Sequence, residues 1–65
     1  MDEITISVSK LFKMIKELRR GGMDFVTLSM LDAEDEFPAC VSFEATSRLN
    51  PHVGVGYGEI EAVSE

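Results

Sequence analysis

One stretch of the chain places its apolar residues at the spacing of an α-helix. From Ser7 onward, apolar side chains recur every three or four positions and form one stripe, made of Val8, Leu11, Phe12, Ile15 and Leu18. Ser7 is suited to cap the amino end, and Gly21 is suited to close the helix in a left-handed conformation. The pattern predicts a helix over residues 8–20 that packs this stripe on a sheet.

Two further stretches alternate between apolar and mixed positions, which is the period of a β-strand. In residues 23–31 one face carries Val26, Leu28 and Met30, and in residues 39–46 one face carries Val41, Phe43 and Ala45. The segment DAEDEFP between them is rich in charge and contains a proline, so it predicts a hairpin loop. We expect the apolar faces to contact the helix.

The segment NPHVGVGYG raises a separate question, because three glycines alternate with Val53, Val55 and Tyr57. The alternation predicts a third strand that ends near Val63, with a bulge near Gly58 where the pattern changes phase. No helix has room to follow, so the segment is not a dinucleotide-binding loop. The glycines clear one side of the strand for an aromatic ring, for the backbone of a second subunit or for a flat ligand.

These elements predict an α+β fold in a single domain spanning residues 1–65. One N-terminal amphipathic helix packs on a small three-stranded, mostly antiparallel sheet, in the order α-β-β-β, and residues 1–6 are extended or loose. The predicted core consists of Leu11, Phe12, Ile15, Leu18, Val26, Leu28, Met30, Val41 and Phe43.

The small size of the chain predicts self-association. A chain of 65 residues with one cysteine has no internal disulfide, and a domain of this size buries only about 60% of the surface that its unfolded chain exposes. We therefore expect a homo-oligomer. No apolar run is long enough to span a membrane, and the N-terminal sequence MDEITIS is acidic, so we expect a cytoplasmic protein.

Charge is unevenly distributed along the chain, whose net charge is −6. All basic residues except Arg48 fall within the predicted helix, at Lys10, Lys13, Lys16, Arg19 and Arg20. An acidic protein repels nucleic acid, so direct binding to DNA or RNA is not expected, whereas a basic protein partner is compatible. The alternative is that the charge serves solubility only.

The candidate catalytic residues are few. His52 is the only histidine and Cys40 the only thiol, and they lie in different segments with no evident third group to orient them. The acidic turn lacks the glycine and the spaced glutamate of a calcium loop. We therefore expect no enzyme activity, no metal and no cofactor.

Two functional hypotheses follow from these patterns. The first is a non-enzymatic, oligomeric protein-interaction module or inhibitor, whose interface comprises Phe25, Leu31, Cys40, Asp32, Glu34, Asp35 and Glu36. The second is a homo-oligomeric sponge that sequesters a nucleotide-like ligand between subunits. The groups suited to such a ligand are Arg48, Asn50, His52, Gly54, Gly56 and Tyr57.

Overall fold

The computed structural model describes residues 3–63 and shows one helix followed by three strands. The elements are α1 (Val8–Arg20), β1 (Phe25–Leu31), β2 (Cys40–Ser47) and β3 (Asn50–Glu61). The strands form one antiparallel sheet in the order β1-β2-β3. The predicted α-β-β-β fold is confirmed, and α1 has the predicted bounds.

Both ends of α1 are closed by local hydrogen bonds. The Ser7 hydroxyl oxygen accepts a bond from the backbone N–H of Lys10 at 3.3 Å, as expected of an N-cap. At the carboxyl end, Gly22 N–H donates to the Arg19 carbonyl and Met23 N–H donates to the Leu18 carbonyl, each at 3.0 Å. This is the Schellman arrangement, in which the residue after the C-cap is left-handed.

The left-handed residue is Gly22, with φ +75°, rather than the predicted Gly21, with φ −79°. The helix ends at Arg20 as predicted, but Gly21 is its C-cap, and in this motif the left-handed conformation belongs to the residue after the C-cap.

The hairpin of β1 and β2 places the predicted faces as expected. Leu28 lies opposite Phe43, and Leu31 lies opposite Cys40. Val26, Leu28 and Met30 therefore share one face of the sheet, and Phe25 and Leu31 share the other. The loop between the strands is closed by reciprocal backbone hydrogen bonds between Glu34 and Phe37.

The predicted bulge near Gly58 is confirmed. Gly58 lies opposite Phe43 and Gly56 lies opposite the next residue, Glu44, so that Tyr57 is the extra residue of the bulge. Gly58 has φ +98°, a conformation that residues with a side chain rarely adopt. The strand begins at Asn50, which pairs with Ser47 across a tight turn, and it ends at Glu61, two residues before the predicted end near Val63.

The core lies between α1 and the two strands β2 and β3. Its centre is a cluster of Val41, Phe43 and Ile60, of which Phe43 is 3% exposed. Residues from the helix, from the segment before it and from β3 surround this cluster: Ile4, Ile6, Leu11, Met14 and Tyr57. Leu18 and Ala45 are also buried. The N-terminal segment is held in place by a hydrogen bond from Val63 N–H to the Thr5 carbonyl at 2.8 Å.

The predicted core was wrong for about half of its members. Phe12 is 60% exposed, Ile15 is 44% exposed, and every residue of β1 is exposed. The helix packs over β2 and β3 because Ile60, Ile4 and Ile6 supply apolar partners there, and these residues were absent from the predicted set. What remains on the same side of the sheet is an exposed "apolar band". It consists of Phe12, Ile15, Val26, Leu28 and Met30.

Candidate functional site

A cleft of about 460 Å³ lies where the β1–β2 loop meets the ends of all three strands. We call it the acidic cleft, because four of its nine lining residues are acidic. The lining residues are Met30, Leu31, Asp32, Glu34, Phe37, Pro38, Cys40, Glu59 and Glu61.

Strand register brings the floor of the acidic cleft together. Leu31 at the end of β1 lies opposite Cys40 at the start of β2, and Cys40 in turn lies opposite Glu61 of β3. Glu59 is two residues before Glu61 and therefore projects from the same face, away from the helix. Ala62 N–H donates to the Ala39 carbonyl at 2.8 Å, which extends this pairing beyond the end of β3.

The loop forms the outer wall of the acidic cleft. Its turn is fixed by the paired backbone of Glu34 and Phe37, and Pro38 restricts the chain immediately afterwards. The Phe37 side chain is 72% exposed although it lines the cleft. A large aromatic ring exposed beside carboxylates offers a contact surface for a partner.

The Cys40 side chain is buried and hydrogen-bonded. Its Sγ donates to Oε2 of Glu59 at 3.1 Å. This bond, together with burial and the negative charges of Glu59 and Glu61, raises the pKa of the Cys40 thiol above its ordinary value. The thiol is therefore protonated at neutral pH and is a poor nucleophile.

The acidic cleft has the chemistry of a site for a cation with an apolar stem. Leu31, Phe37 and Pro38 offer apolar surface, while Asp32, Glu34 and the two β3 glutamates supply negative charge. Lysine and arginine side chains have this composition, since a methylene chain carries a cationic head. An anion at the same place would meet repulsion.

Some of the predicted interface residues lie together in the acidic cleft, and others lie outside it. Leu31, Asp32, Glu34 and Cys40 line the acidic cleft, whereas Asp35 and Glu36 lie in the loop without lining it. Phe25 is at the opposite end of β1 and is 62% exposed. Cys40 is buried, so its contribution to any interface is to hold Glu59 rather than to offer surface.

The predicted ligand-binding residues do not form one cluster. Arg48 lies in the β2–β3 turn, where its backbone N–H donates to Oδ2 of Asp24 at 2.9 Å. Asn50 and His52 follow at the exposed start of β3.

The remaining predicted ligand-binding residues, Gly54, Gly56 and Tyr57, lie on opposite faces of the sheet. Gly54 and Gly56 share a face with Glu44, and the Glu44 side chain lies over Gly54, so close that a Cβ there would be 2.7 Å from Oε1. Tyr57 instead packs against the core cluster on the helix side. The close neighbour of Gly54 on this face is therefore the flexible side chain of Glu44 from the same chain, rather than an aromatic ring.

Five cleft residues were absent from the predicted site: Met30, Phe37, Pro38, Glu59 and Glu61. The alternation of β3 already placed the two glutamates on one face, but their distance from the acidic loop along the chain concealed the juxtaposition. The two glutamates are brought beside the acidic loop by the register of β3 on β2, which depends on the bulge.

Comparison with protein families, with curated proteins and with solved structures found no match to this chain. Within residues 3–63, no three His, Cys, Asp or Glu side chains are grouped so that they could hold a metal ion. Among the same residues, α1 is too short and too polar to cross a lipid bilayer, and no other helix is present.

Proposed function

We propose that this protein is a non-enzymatic, oligomeric binding module of the cytoplasm whose acidic cleft docks a basic segment of another protein. The observation that carries the proposal is the combination of apolar lining side chains and four acidic residues within one cleft of about 460 Å³. If the partner uses the same basic segment to bind its own target, docking in the acidic cleft should inhibit the partner.

The chemistry of the acidic cleft favours a peptide with a basic residue beside an apolar one. The apolar stem of an arginine would pack on Leu31 and Phe37, and its guanidinium would reach the carboxylates of Glu59 and Glu61. The surrounding negative charge would accelerate association with a basic partner, an effect that salt weakens.

The non-enzymatic part of the proposal is supported by the state of the thiol. Cys40 is protonated and donates its hydrogen to Glu59, so the one potential thiol nucleophile is not activated.

The nucleotide-sponge hypothesis has weaker support. Tyr57 packs in the core on one face, while Gly54 and Gly56 lie on the other face beneath or beside Glu44. A nucleotide lying on these glycines would meet a carboxylate, which disfavours its phosphates.

The experiment is a titration of isotope-labelled protein with a short peptide of alternating leucine and arginine, followed by amide shifts in NMR spectra. We expect saturable shifts at Leu31, Cys40, Glu59 and Glu61. The Glu59→Gln/Glu61→Gln variant should bind about tenfold more weakly, because two charged contacts are lost.

The matched control is Asp35→Asn/Glu36→Gln, which removes the same charge outside the acidic cleft. Equal weakening in both variants would show that only net charge attracts the peptide and would refute the proposed site. Titration with mono-, di- and cyclic nucleotides on the same sample tests the alternative. Saturable nucleotide shifts confined to Arg48 through Gly58, with no response to the peptide, would favour the sponge.

A further inference from the structure

The outer edge of β1 is built to pair with another strand. Among residues 3–63, no strand hydrogen-bonds to this edge, which leaves alternate backbone N–H and C=O groups of Phe25–Leu31 directed outward. The strand sequence FVTLSML contains no charge, no proline and no glycine. Natural edge strands usually carry one of the devices that prevent pairing, and β1 carries none.

The other edge of the sheet, formed by β3, carries several features that prevent pairing with another strand. It contains Pro51, the bulge at Tyr57 and two glutamates near its end. The segment before α1 also covers the chain just beyond β3 through the bond from Val63 N–H to the Thr5 carbonyl. The contrast within one small sheet indicates that only the β1 edge is open to a partner.

In β1, positions at equal distances before and after the central residue Leu28 carry side chains of the same chemical class. In an antiparallel pair centred there, Leu28 meets itself, Val26 meets Met30, Thr27 meets Ser29 and Phe25 meets Leu31. Every cross-strand pair is then apolar with apolar or hydroxyl with hydroxyl, and pairs of these kinds stabilise sheets. We propose that a second copy of this chain pairs with β1 in this register and forms a continuous six-stranded sheet.

The symmetry of this pairing also accounts for the apolar band. The two-fold axis passes between the two copies of Leu28 and is perpendicular to the sheet, so both helices lie on the same face and the two apolar bands face each other across the axis. At roughly 200 Å² for a fully exposed large apolar side chain, the band with Phe25 and Leu31 exposes on the order of 700 Å² per copy, which is the upper limit of what these side chains can bury. The paired backbone and hydroxyl groups of β1 add to this area, and a standard interface buries roughly 800 Å² per partner.

This dimer specifies the oligomeric part of the proposed function and does not require that the acidic cleft bind anything. Glu59 and Glu61 lie on β3, at the far edge of the sheet from the pairing strand. The Glu59→Gln/Glu61→Gln variant should therefore remain a dimer even if the cleft proves to have no ligand, so the two proposals fail separately.

The first test is analytical ultracentrifugation from roughly 1 µM to roughly 500 µM. We expect the unaltered protein to dimerise. Leu28→Lys places two like charges on the symmetry axis and should weaken the dimer by about a hundredfold. The matched control is Leu49→Lys, the same change at a residue that is 83% exposed in the β2–β3 turn, and it should leave dimerisation unchanged.

The second test fixes the register with charges at the two hydroxyl positions. Thr27→Lys/Ser29→Lys places like charges opposite each other across the axis and should weaken the dimer by about tenfold, whereas Thr27→Lys/Ser29→Glu places opposite charges there and should restore it. Both positions are exposed, so the fold tolerates these changes and circular dichroism will verify it.

A protein that stays monomeric over the whole concentration range overturns the proposal. So does a dimer that is indifferent to Leu28→Lys, or one that responds equally to the two variants at Thr27 and Ser29. If Leu28→Lys does not fold, the comparison at Thr27 and Ser29 decides alone.

Discussion

The Tyr57 hydroxyl lies against the α-carbon of Gly21, in the space that a Cβ at this position would occupy. Tyr57 is the extra residue of the β3 bulge, and its ring packs against the core cluster of Val41, Phe43 and Ile60. Gly21 is the C-cap of α1. The contact therefore joins the bulge of β3 to the end of α1. Position 21 requires glycine because a side chain there would collide with Tyr57, and not because of its backbone conformation.

We expect Gly21→Ala to destabilise the protein by about 1 kcal/mol, because the new methyl group collides with the Tyr57 hydroxyl. In a Tyr57→Phe background the same substitution should become neutral or stabilising by about 0.5 kcal/mol. The reason is that Gly21 has φ −79°, which alanine adopts without strain, and alanine loses less conformational entropy on folding. Urea denaturation of the four proteins measures both effects.

The coupling between the two positions is the decisive quantity in this double-mutant cycle. If Gly21→Ala costs the same in both backgrounds, the hydroxyl is not what excludes the side chain. Gly22→Ala is a useful comparison, since no atom lies near its Cβ and its cost should come from φ +75° alone.

The elements of the fold could be predicted from local patterns in the sequence. The period of three to four in residues 8–20 and the period of two in the later segments are direct consequences of helix and strand geometry. The phase change beside Gly58 even predicted the bulge. The left-handed glycine was misplaced by one residue although the end of the helix was right, because both residues of the Gly21-Gly22 pair can adopt that conformation and the Schellman hydrogen bonds assign it to the residue after the C-cap.

The packing of the elements could not be predicted in the same way. Phe12 and Ile15 belong to the apolar stripe of α1, yet they are exposed because the helix turns Leu11, Met14 and Leu18 toward the sheet. A periodic pattern shows which side of a helix is apolar, but the strand that it covers depends on long-range contacts such as those of Ile60.

Only some of the residues that line the acidic cleft could be predicted from the sequence. Leu31, Asp32 and Glu34 were predicted as interface residues from the apolar face and the charged loop. Glu59 and Glu61 come from a segment more than twenty residues away, and only the shifted register beyond the bulge brings them beside Cys40. A register without the bulge would place these carboxylates on the opposite face of the sheet.

The bulge itself gives the second prediction. Gly58→Ala should destabilise the protein by about 1–2 kcal/mol, because φ +98° forces the Cβ of an L-residue against its own backbone. Gly56→Ala is the matched control in the same strand, since it has open space around it and no positive φ. It should be neutral within about 0.5 kcal/mol. Equal losses at both positions in urea denaturation would contradict the role assigned to Gly58.

The position of the core gives the third prediction. Val41→Ala should cost about 2 kcal/mol, because it leaves a cavity at the centre of the buried cluster. Val53→Ala removes the same atoms from an exposed position on β3 and should cost less than about 0.5 kcal/mol. Thermal denaturation of both variants at one concentration measures the difference. A comparable loss in Val53→Ala would indicate that the start of β3 is buried against something else.

The bond between Cys40 and Glu59 makes stability depend on pH in the alkaline range. The hydrogen bond to Glu59, burial and the negative charges raise the pKa of the thiol in the folded protein, whereas the unfolded chain has a thiol pKa of about 8.5. A raised pKa means that the folded state holds the proton more tightly. The contribution to stability is therefore complete below the unfolded pKa and is lost as the pH rises through the folded pKa.

Urea denaturation of the unaltered protein and of Cys40→Ala, at about pH 7.5 and about pH 9.5, measures this contribution. The unaltered protein should lose more stability between the two conditions than Cys40→Ala, which retains every other group that titrates in this range. Glu59→Gln should reduce the loss further than Glu61→Gln does, because Glu59 both accepts the hydrogen bond and acts through its charge, whereas Glu61 acts through charge alone. An equal fall in stability for the unaltered protein and Cys40→Ala would mean that the thiol has the same proton affinity in the folded and unfolded chain, and that Glu59 is not its partner in solution.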